Sequence, residues 1–451
     1  MVASFLLLLA ASPDMPAVPS VAGLGAPAGD VLSSPASPAG PVGLDFAAAL
    51  KAAEGLIVAE QLEEARARLL ELEESRPQSN QVQFLLALLD RHDGDLESAI
   101  VRFREILVRE PDAIRVRLEL GRTYFELGDH ANARRQFQFA RAGHIPESVA
   151  RNIDRYLYSI RELKTFDFGF SLAVSPNSNR NAGPATDTIT LYGLPFDLSD
   201  DARASSGVGL IGNAQAEWAP RIAKRAKLRI GGQLYRAQYR RSRFNDMTLA
   251  LHAGPRLNRA KWRFDLLGNF ARRWYADRKY SDLAGASAEA THFVTGRFGL
   301  GLGASLFRRS YFRNRAQSGL GFSVTGTAFY IPNVTSFARA SVQLRRRQAR
   351  SKALAHDALL VGLNYVRELK GGFTIGLEPT YTRIAYDAPL AAFDERRVDN
   401  QFTGKLTLLN RRIDIQGVTP RISFAYTRNN STIPLYDFTR RVFEFGFTSL
   451  F

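Results

Sequence analysis

The sequence of 451 residues contains no cysteine. Neither a disulfide framework nor a thiol-based site can therefore form, and this suits an oxidising envelope compartment. After the N-terminus the sequence also lacks any run of 18 apolar residues, which disfavours a membrane-spanning helix. An outer-membrane barrel would escape that test, because its strands alternate apolar and polar residues.

Motifs for catalysis or cofactor binding are scarce as well. The six histidines form no HExxH pattern and no close pair, which disfavours a metal site, and no GxSxG sequence occurs. The stretch 207–212 matches GxGxxG, but a dinucleotide fold needs a strand before it, a helix after it and an acidic residue about 20 residues later. A polar loop precedes the stretch, and no acidic residue lies between Glu217 and Asp246. We therefore expect no enzyme activity and no cofactor, and interpret these glycines as small residues on the inner face of a barrel strand.

Acidic residues are few in the second part of the chain. Residues 165–451 carry 42 basic and 21 acidic residues, whereas residues 44–164 carry 18 and 21. A basic balance can indicate a nucleic-acid partner. Here the basic residues are dispersed among strands and loops, without a recognition helix or a zinc pattern, so we expect no nucleic-acid partner.

The first 43 residues predict a signal segment followed by a disordered linker. Residues 1–12 resemble a short secretory apolar region followed by small residues. They lack the usual basic residues before it, so either the given start is late or the signal is atypical. Residues 13–43 are mostly Pro, Ala, Gly, Ser and Val, a composition that cannot form a core.

Residues 44–164 predict a periplasmic domain of helical repeats. The stretch 94–103 recurs as 128–137, an offset of 34 residues. A 34-residue period with small residues where two helices touch is the tetratricopeptide pattern, and three repeats are about the minimum for a stacked core. We expect a concave surface that holds a peptide or protein, with a spacer as the alternative. The predicted packing positions are Ala65, Ala99, Ala133, Ala87 and Gly121.

Residues 438–451 predict a lipid-facing strand. Because successive side chains of a strand point to opposite faces, one face of this strand carries aromatic residues and the other is mixed and small. Alternation that ends on a phenylalanine resembles the closing strand of bacterial outer-membrane barrels, which their assembly machinery recognises. The alternative is a half-buried strand of a soluble sandwich. The predicted closing strand and assembly signal comprise Phe443, Phe445, Phe447 and Phe451.

From Thr165 onwards the apolar period changes from 3.6 to 2, which predicts strands throughout residues 165–451. A single-chain bacterial barrel has an even number of strands, so both of its ends lie on one side, taken as the periplasm. Counting back from the last strand then requires three strands within 291–330. The predicted fourteen are 165–175, 206–218, 226–240, 246–257, 261–275, 291–300, 302–312, 317–330, 336–349, 356–368, 372–386, 398–409, 417–428 and 438–451.

The connections between these strands differ in length. Short connections at 258–260, 331–335 and 369–371 are predicted as periplasmic turns, and long ones at 176–205, 276–290 and 387–397 as outer loops. Clusters of arginine lie at the outer strand ends and could pair with lipopolysaccharide phosphates, with solvated loop charge as the alternative. The predicted lipid contacts are Arg345, Arg346, Arg347, Arg272 and Arg273.

Three stretches of the chain resemble the surface lipoprotein assembly modifier family. They are 193–203 before the second strand, Thr419–Arg421 leading to Tyr426–Tyr436, and Val116–Arg122 at the start of the last repeat. The resemblance covers roughly residues 44–451 and fits tetratricopeptide repeats followed by a 14-stranded antiparallel transmembrane β-barrel.

The resemblance implies a monomer in the outer membrane, surrounded by its lipid, that moves lipoproteins or related secreted proteins from the periplasm to the cell surface. The repeats would engage the client or a periplasmic chaperone, and the barrel would be the passage. An exopolysaccharide exporter also joins such repeats to a barrel, but would need more repeats. A simple porin would need no helical domain, and a soluble two-domain binding protein is the alternative outside the membrane.

Overall fold

The structure, a computed structural model, describes residues 42–163, 165–184, 186–200, 202–259, 261–413, 415 and 418–449. The chain divides into two compact units near residue 160. The predicted signal segment, nearly all of the predicted linker and the terminal Phe451 lie outside the described ranges.

Seven helices precede the first strand within the described residues. Successive helices pack against each other from α1 to α6. Within the described part of the chain, no helix is long and apolar enough to cross a membrane. The helices are Val42–Val58 (α1), Leu62–Ser75 (α2), Asn80–His92 (α3), Leu96–Arg109 (α4), Ile114–Glu126 (α5), His130–Arg141 (α6) and Glu147–Leu163 (α7).

The 34-residue offset of the sequence appears in the structure as a repeated helix start. Asp95 caps α4 and Asp129 caps α6, and each carboxylate accepts a hydrogen bond of 3.1 Å from the backbone N–H three residues later. Each cap directly follows a glycine with positive φ, Gly94 at 86° and Gly128 at 84°. An L-residue would be strained there, so both the turn and the cap recur with the repeat.

Fourteen antiparallel strands form a closed barrel, in which β1 pairs with both β2 and β14. A small hairpin, Thr188–Leu191 with Leu194–Asp197, lies in the long connection between β1 and β2. The strands are Phe166–Asn177 (β1), Gly207–Trp218 (β2), Ala226–Tyr239 (β3), Asp246–Arg259 (β4), Trp262–Tyr275 (β5), Arg278–Phe293 (β6), Phe298–Tyr311 (β7), Gly319–Asn333 (β8), Ser336–Arg347 (β9), His356–Glu368 (β10), Phe373–Leu390 (β11), Glu395–Asn410 (β12), Thr419–Ser431 (β13) and Phe438–Thr448 (β14).

The predicted number of strands is correct, but one strand was misplaced. The outer loop predicted at 276–290 is wrong, because β6 occupies residues 278–293. Ala276 and Asp277, with φ of 53° and 56°, form the whole turn before it, as in a tight hairpin. The region 291–330 therefore holds the end of β6 followed by β7 and β8. The strand predicted at 291–300 is wrong, whereas those predicted at 302–312 and 317–330 correspond to β7 and β8 with shifted ends.

The weak signal of β6 has a physical cause. Several of its outward-facing positions are alanines, Ala284, Ala286 and Ala288, and alanine is depleted in strands. The outer loop predicted at 387–397 is also too long, since β11 and β12 extend to Leu390 and from Glu395. The long connection predicted at 176–205 is confirmed, because β1 ends at Asn177 and β2 begins at Gly207.

Candidate functional site

The inward face of the barrel is polar. On β13, Thr419 and Ser423 are buried on the inward face, while Ile422 is 51 % exposed on the outward face. The apolar period of two that predicted strands throughout residues 165–451 implies such a division, and the structure confirms it. Fourteen strands enclose more space than the side chains of a small barrel can fill. The polar face is therefore the surface that a molecule inside the barrel would meet.

Paired charges lie on the inward face close to the end of the barrel where β1 begins and β14 ends, here called the terminal end. Asp265 is 5 % exposed, and its carboxylate lies 2.9 Å from Arg229 Nη1 and 2.7 Å from Arg256 Nε. Arg263 Nε lies 3.2 Å from the other oxygen of Asp265. Arg229 also donates a hydrogen bond of 3.0 Å to Glu217. These five residues form the terminal charge cluster.

The side chains of the terminal charge cluster connect four neighbouring strands, from β2 to β5. Loss of Asp265 would remove the carboxylate that three arginines share, and breaking buried ion pairs in this way is strongly destabilising. The sequence alone does not reveal this cluster. Each of the five residues lies on the polar face of its strand, near a turn at the terminal end. Only the register of the strands shows that their charges lie close together.

The pairing of β1 with β14, here called the closing seam, is short. In β1, residues 171–174 and Asn177 pair with β14, whereas all of 166–177 pair with β2. At one end of the seam the Phe170 N–H donates to the Ser449 hydroxyl, 2.9 Å away. At the other end the Arg441 N–H donates to the Ser178 hydroxyl, also 2.9 Å away. A serine side chain thus accepts a strand N–H at each end.

Pro176 weakens the closing seam further. The carbonyl of Phe170 and the N–H of Ser178 both bond to β14, so the even residues of β1 direct their backbone groups to that strand. Pro176 is one of them, and it has no N–H to donate. Its neighbour Ser175 is fully buried, and the Ser175 hydroxyl has no partner among the described residues.

The closing strand presents its aromatic residues outward. Phe443, Phe445 and Phe447 are 43 %, 49 % and 51 % exposed, and Glu444 between them is on the inward face. The outward position of these rings fits a lipid-facing surface. Their role as an assembly signal, together with that of Phe451, stays a prediction.

The predicted packing residues of the repeats lie in the core of the helical unit. The four alanines are 0 % exposed. A Cβ added to Gly121 would lie 3.0 Å from the ring of Phe137, so α5 and α6 approach closely there. Their energetic role stays a prediction. The alanines are Ala65, Ala87, Ala99 and Ala133.

The predicted lipid-contact arginines divide between the two faces of the barrel. Because Val342 and Leu344 are exposed on the outward face, Arg346 shares that face and its neighbours Arg345 and Arg347 face inward. Arg346 already pairs with Asp387 at 2.5 Å.

On β5, alternation separates the two predicted lipid contacts in the same way. Arg272 faces outward and pairs with Asp282 at 2.7 Å. Arg273 faces inward and pairs with Asp246 at 2.6 Å. Only Arg272 and Arg346 are therefore directed towards lipid, and their contact with lipopolysaccharide stays a prediction.

The GxGxxG stretch has a steric explanation in the barrel. A Cβ on Gly207 would lie 2.5 Å from Arg180 Nη1, and a Cβ on Gly209 would lie 2.6 Å from the ring of Tyr239. Both glycines therefore make room for large side chains. Within the described ranges, no group of three or more His, Cys, Asp or Glu side chains is arranged to hold a metal ion.

Comparison with known proteins matches the barrel to one family. Residues 166–451 match the family model described as surface lipoprotein assembly modifier. Surface lipoprotein assembly modifier 1 of Haemophilus influenzae is 22 % identical, covering 78 % of this chain and 73 % of the relative. The Pasteurella multocida surface lipoprotein assembly modifier is 20 % identical, covering 81 % and 75 %. The crystal structure of a Pseudomonas aeruginosa FadL homologue, 9 % identical with a TM-score of 0.39, covers 63 % of this chain and 90 % of that protein.

Proposed function

Because the chain belongs to the surface lipoprotein assembly modifier family, we propose that it delivers lipoproteins, or related secreted proteins, from the periplasm to the cell surface. The observation that carries this proposal is the family match, which spans the whole barrel from 166 onwards. The chain is an outer-membrane β-barrel protein, so it stands at the boundary that such a client must cross. The polar inward face supports a route for a polypeptide, and we propose no catalytic step.

In this proposal the terminal end of the barrel faces the periplasm, as in other barrels with an even number of strands. The helical unit precedes β1 in the chain and would then lie in the periplasm, where it holds the client or its chaperone. A cavity of about 920 Å³ in this unit is lined by Phe46 and Leu50 of α1 and by Arg76 after α2. Its lining combines apolar side chains with Lys51, Arg76 and the acidic Glu54, which suits an extended peptide of mixed apolar and charged character.

We further propose that the client leaves the barrel through the closing seam. The seam has a short pairing, serine hydroxyls at both ends and a proline that removes a backbone donor. Opening it breaks fewer hydrogen bonds than opening between β13 and β14, which pair along residues 419–429. A lipid-modified client would keep its acyl chains in the membrane if the barrel opened sideways.

Co-expression with a candidate client tests the proposed function. The client would be a lipoprotein encoded beside this chain, and the readout is protease and antibody access to that client on intact cells. We expect access only when the full-length protein is also made. A client that stays protected in both cases would refute delivery.

Two controls make this experiment specific. An unrelated barrel expressed at the same level shows whether the client is exposed by membrane damage, and a periplasmic marker must stay protected throughout. If an acidic polysaccharide instead of the lipoprotein reaches the surface when the protein is present, polysaccharide export replaces lipoprotein delivery.

A further inference from the structure

A basic cavity lies on the rim of the barrel at the far end, opposite the terminal end. Its volume is about 530 Å³, within the range of small-molecule sites. Arginines from two separate segments line it: Arg180 comes from the β1–β2 connection, and Arg240 and Arg241 follow β3. Ser205 and Ser206 add two hydroxyl groups. None of the described residues that line this rim cavity is acidic.

Arg180 is held in place by a rigid network. Its Nη2 donates a hydrogen bond of 3.0 Å to the Ser205 hydroxyl, and its guanidinium lies 3.9 Å from the ring centroid of Phe244. The preceding Asn179 is 2 % exposed and bonds to the backbone of Gly183 in both directions. The cationic group is therefore presented by a fixed loop and does not need ordering when a ligand binds.

Nothing in the described structure neutralises the three arginines. Arg180 Nε is buried without a hydrogen-bond partner, and neither it nor the other two arginines forms an ion pair among the described residues. Burial, followed by the charge of Arg241, lowers the pKa of Arg180 from its ordinary value. An external anion would relieve both the unpaired donor and the repulsion between like charges.

Other arginines at the far end differ from these three because they form ion pairs. Arg272, Arg346 and Arg428 each lie within 3 Å of an aspartate carboxylate. Aspartates therefore pair these three arginines, whereas none of the described residues that line the rim cavity is acidic. This contrast indicates a site kept open for an anion from outside the chain.

We propose that the rim cavity binds a phosphate group, carried either by a glycolipid of the outer leaflet or by a free phosphate ion. Three guanidinium groups and two hydroxyls match the charge and the several acceptor oxygens of a phosphate better than the single charge of a carboxylate. Val208, which also lines the cavity, is 58 % exposed on the outward face. A headgroup standing beside the barrel can therefore reach the site.

Gly207 provides a test that leaves all charges in place. A Cβ there would meet Arg180 Nη1 at 2.5 Å, and the three nearest atoms all belong to the side chain of Arg180, so Gly207→Ala must displace the guanidinium group from its position. Gly326→Ala is the matched control, because an added Cβ at that position meets nothing within 4 Å.

Binding is measured on the full-length protein in detergent by calorimetry, first with inorganic phosphate and then with diphosphorylated and dephosphorylated lipid A. We expect saturable phosphate binding that weakens about tenfold in Arg241→Ser and in Gly207→Ala, as the loss of one charge-assisted contact predicts. Gly326→Ala and Arg313→Ser, which removes an exposed arginine elsewhere at the far end, should bind within twofold of the unaltered protein.

The lipid arm identifies the source of the phosphate. Tighter binding of the phosphorylated lipid, sensitive to the same two variants, assigns the site to the outer leaflet. Equal binding of both lipids, with phosphate binding retained, assigns it to a free ion. Absence of saturable phosphate binding, or binding that is unchanged in both Arg241→Ser and Gly207→Ala, overturns the proposal. Delivery of a client is not part of any readout.

Discussion

A disulfide across the closing seam is expected to stop client delivery reversibly. Ser171 and Thr448 face each other in register, and both are buried on the inward face. Odd residues of β1 direct their backbone groups to β2, so this pair is not hydrogen-bonded across the seam and its Cα atoms lie about 4.5 Å apart. Disulfides bridge Cα separations of roughly 4.4 to 6.8 Å. Because the chain has no cysteine, Ser171→Cys with Thr448→Cys introduces the only thiols.

The structure gives the size of the effect. β14 pairs with β1 through five residue pairs and with β13 through eleven. Two further backbone hydrogen bonds cross the seam at its ends, from the Ser449 N–H to Phe170 and from the Ser178 N–H to Arg441, and reduce the difference to about four. At about 1 kcal/mol net for each backbone hydrogen bond, opening beside β13 is about 4 kcal/mol less favourable, which corresponds to an open population roughly 10³-fold smaller. The seam is therefore the preferred place to open, and a covalent bond across it should reduce delivery to below about a tenth.

Surface access of the client in intact cells, with and without a membrane-permeant reductant, is the assay. The control is Ser305→Cys with Ser323→Cys, which joins β7 to β8 where the two serine oxygens already lie 2.8 Å apart. Reductant should restore delivery in the seam variant, and the control should deliver normally whether oxidised or reduced. Full delivery by the oxidised seam variant would refute lateral opening and favour passage through the barrel interior.

Four further predictions concern the stability and assembly of the two units. Ala99→Leu overpacks the buried contact between repeat helices and should lower the free energy of unfolding of the helical unit by about 1–3 kcal/mol, measured by denaturant titration of helical circular dichroism; an unchanged midpoint would contradict close packing. Arg229→Met removes the arginine that Glu217 and Asp265 share, although each carboxylate keeps another partner, and should lower the free energy of unfolding of the barrel by about 1–3 kcal/mol, seen as a lower temperature at which the heated protein changes its gel mobility. Phe451→Ser should reduce insertion into the outer membrane in cell fractionation, and normal insertion would remove this residue from the assembly signal. Burial alone would raise the pKa of Glu73, but hydrogen bonds from Arg102 and Gln83 outweigh it and hold the pKa below its ordinary value. The stability that the ionised Glu73 contributes to the helical unit is therefore present at neutral pH and is lost as the pH falls through that lowered pKa. Acid unfolding of the helices should accordingly be less steep in Glu73→Gln.

The sequence predicted those features that depend on local periodicity. The 34-residue offset identified the repeated caps at Asp95 and Asp129, because a turn and its cap are specified by adjacent residues. Alternation predicted which face of β13 and β14 is apolar, because side-chain direction follows strand parity. The number of strands followed from a topological rule, even though one strand was placed incorrectly.

Features that depend on register between distant segments could not be predicted. The five residues of the terminal charge cluster come from four strands, and nothing local marks them as partners. The rim cavity joins Arg180 to Arg241, which are separated by a long connection and two strands. Pro176 is visible in the sequence, but its effect on the closing seam requires knowing that its missing N–H would have pointed to β14.

Transport by the purified protein is the decisive measurement of client delivery. Full-length protein is inserted into lipid vesicles, a lipoprotein client with its carrier is supplied on the side of the helical unit, and client transferred to the other side is scored by protection from added protease. We expect protected client to accumulate only in vesicles that contain this protein, and oxidation of the Ser171→Cys, Thr448→Cys pair to abolish it. Protection no greater than in vesicles with an unrelated barrel would contradict delivery by this chain.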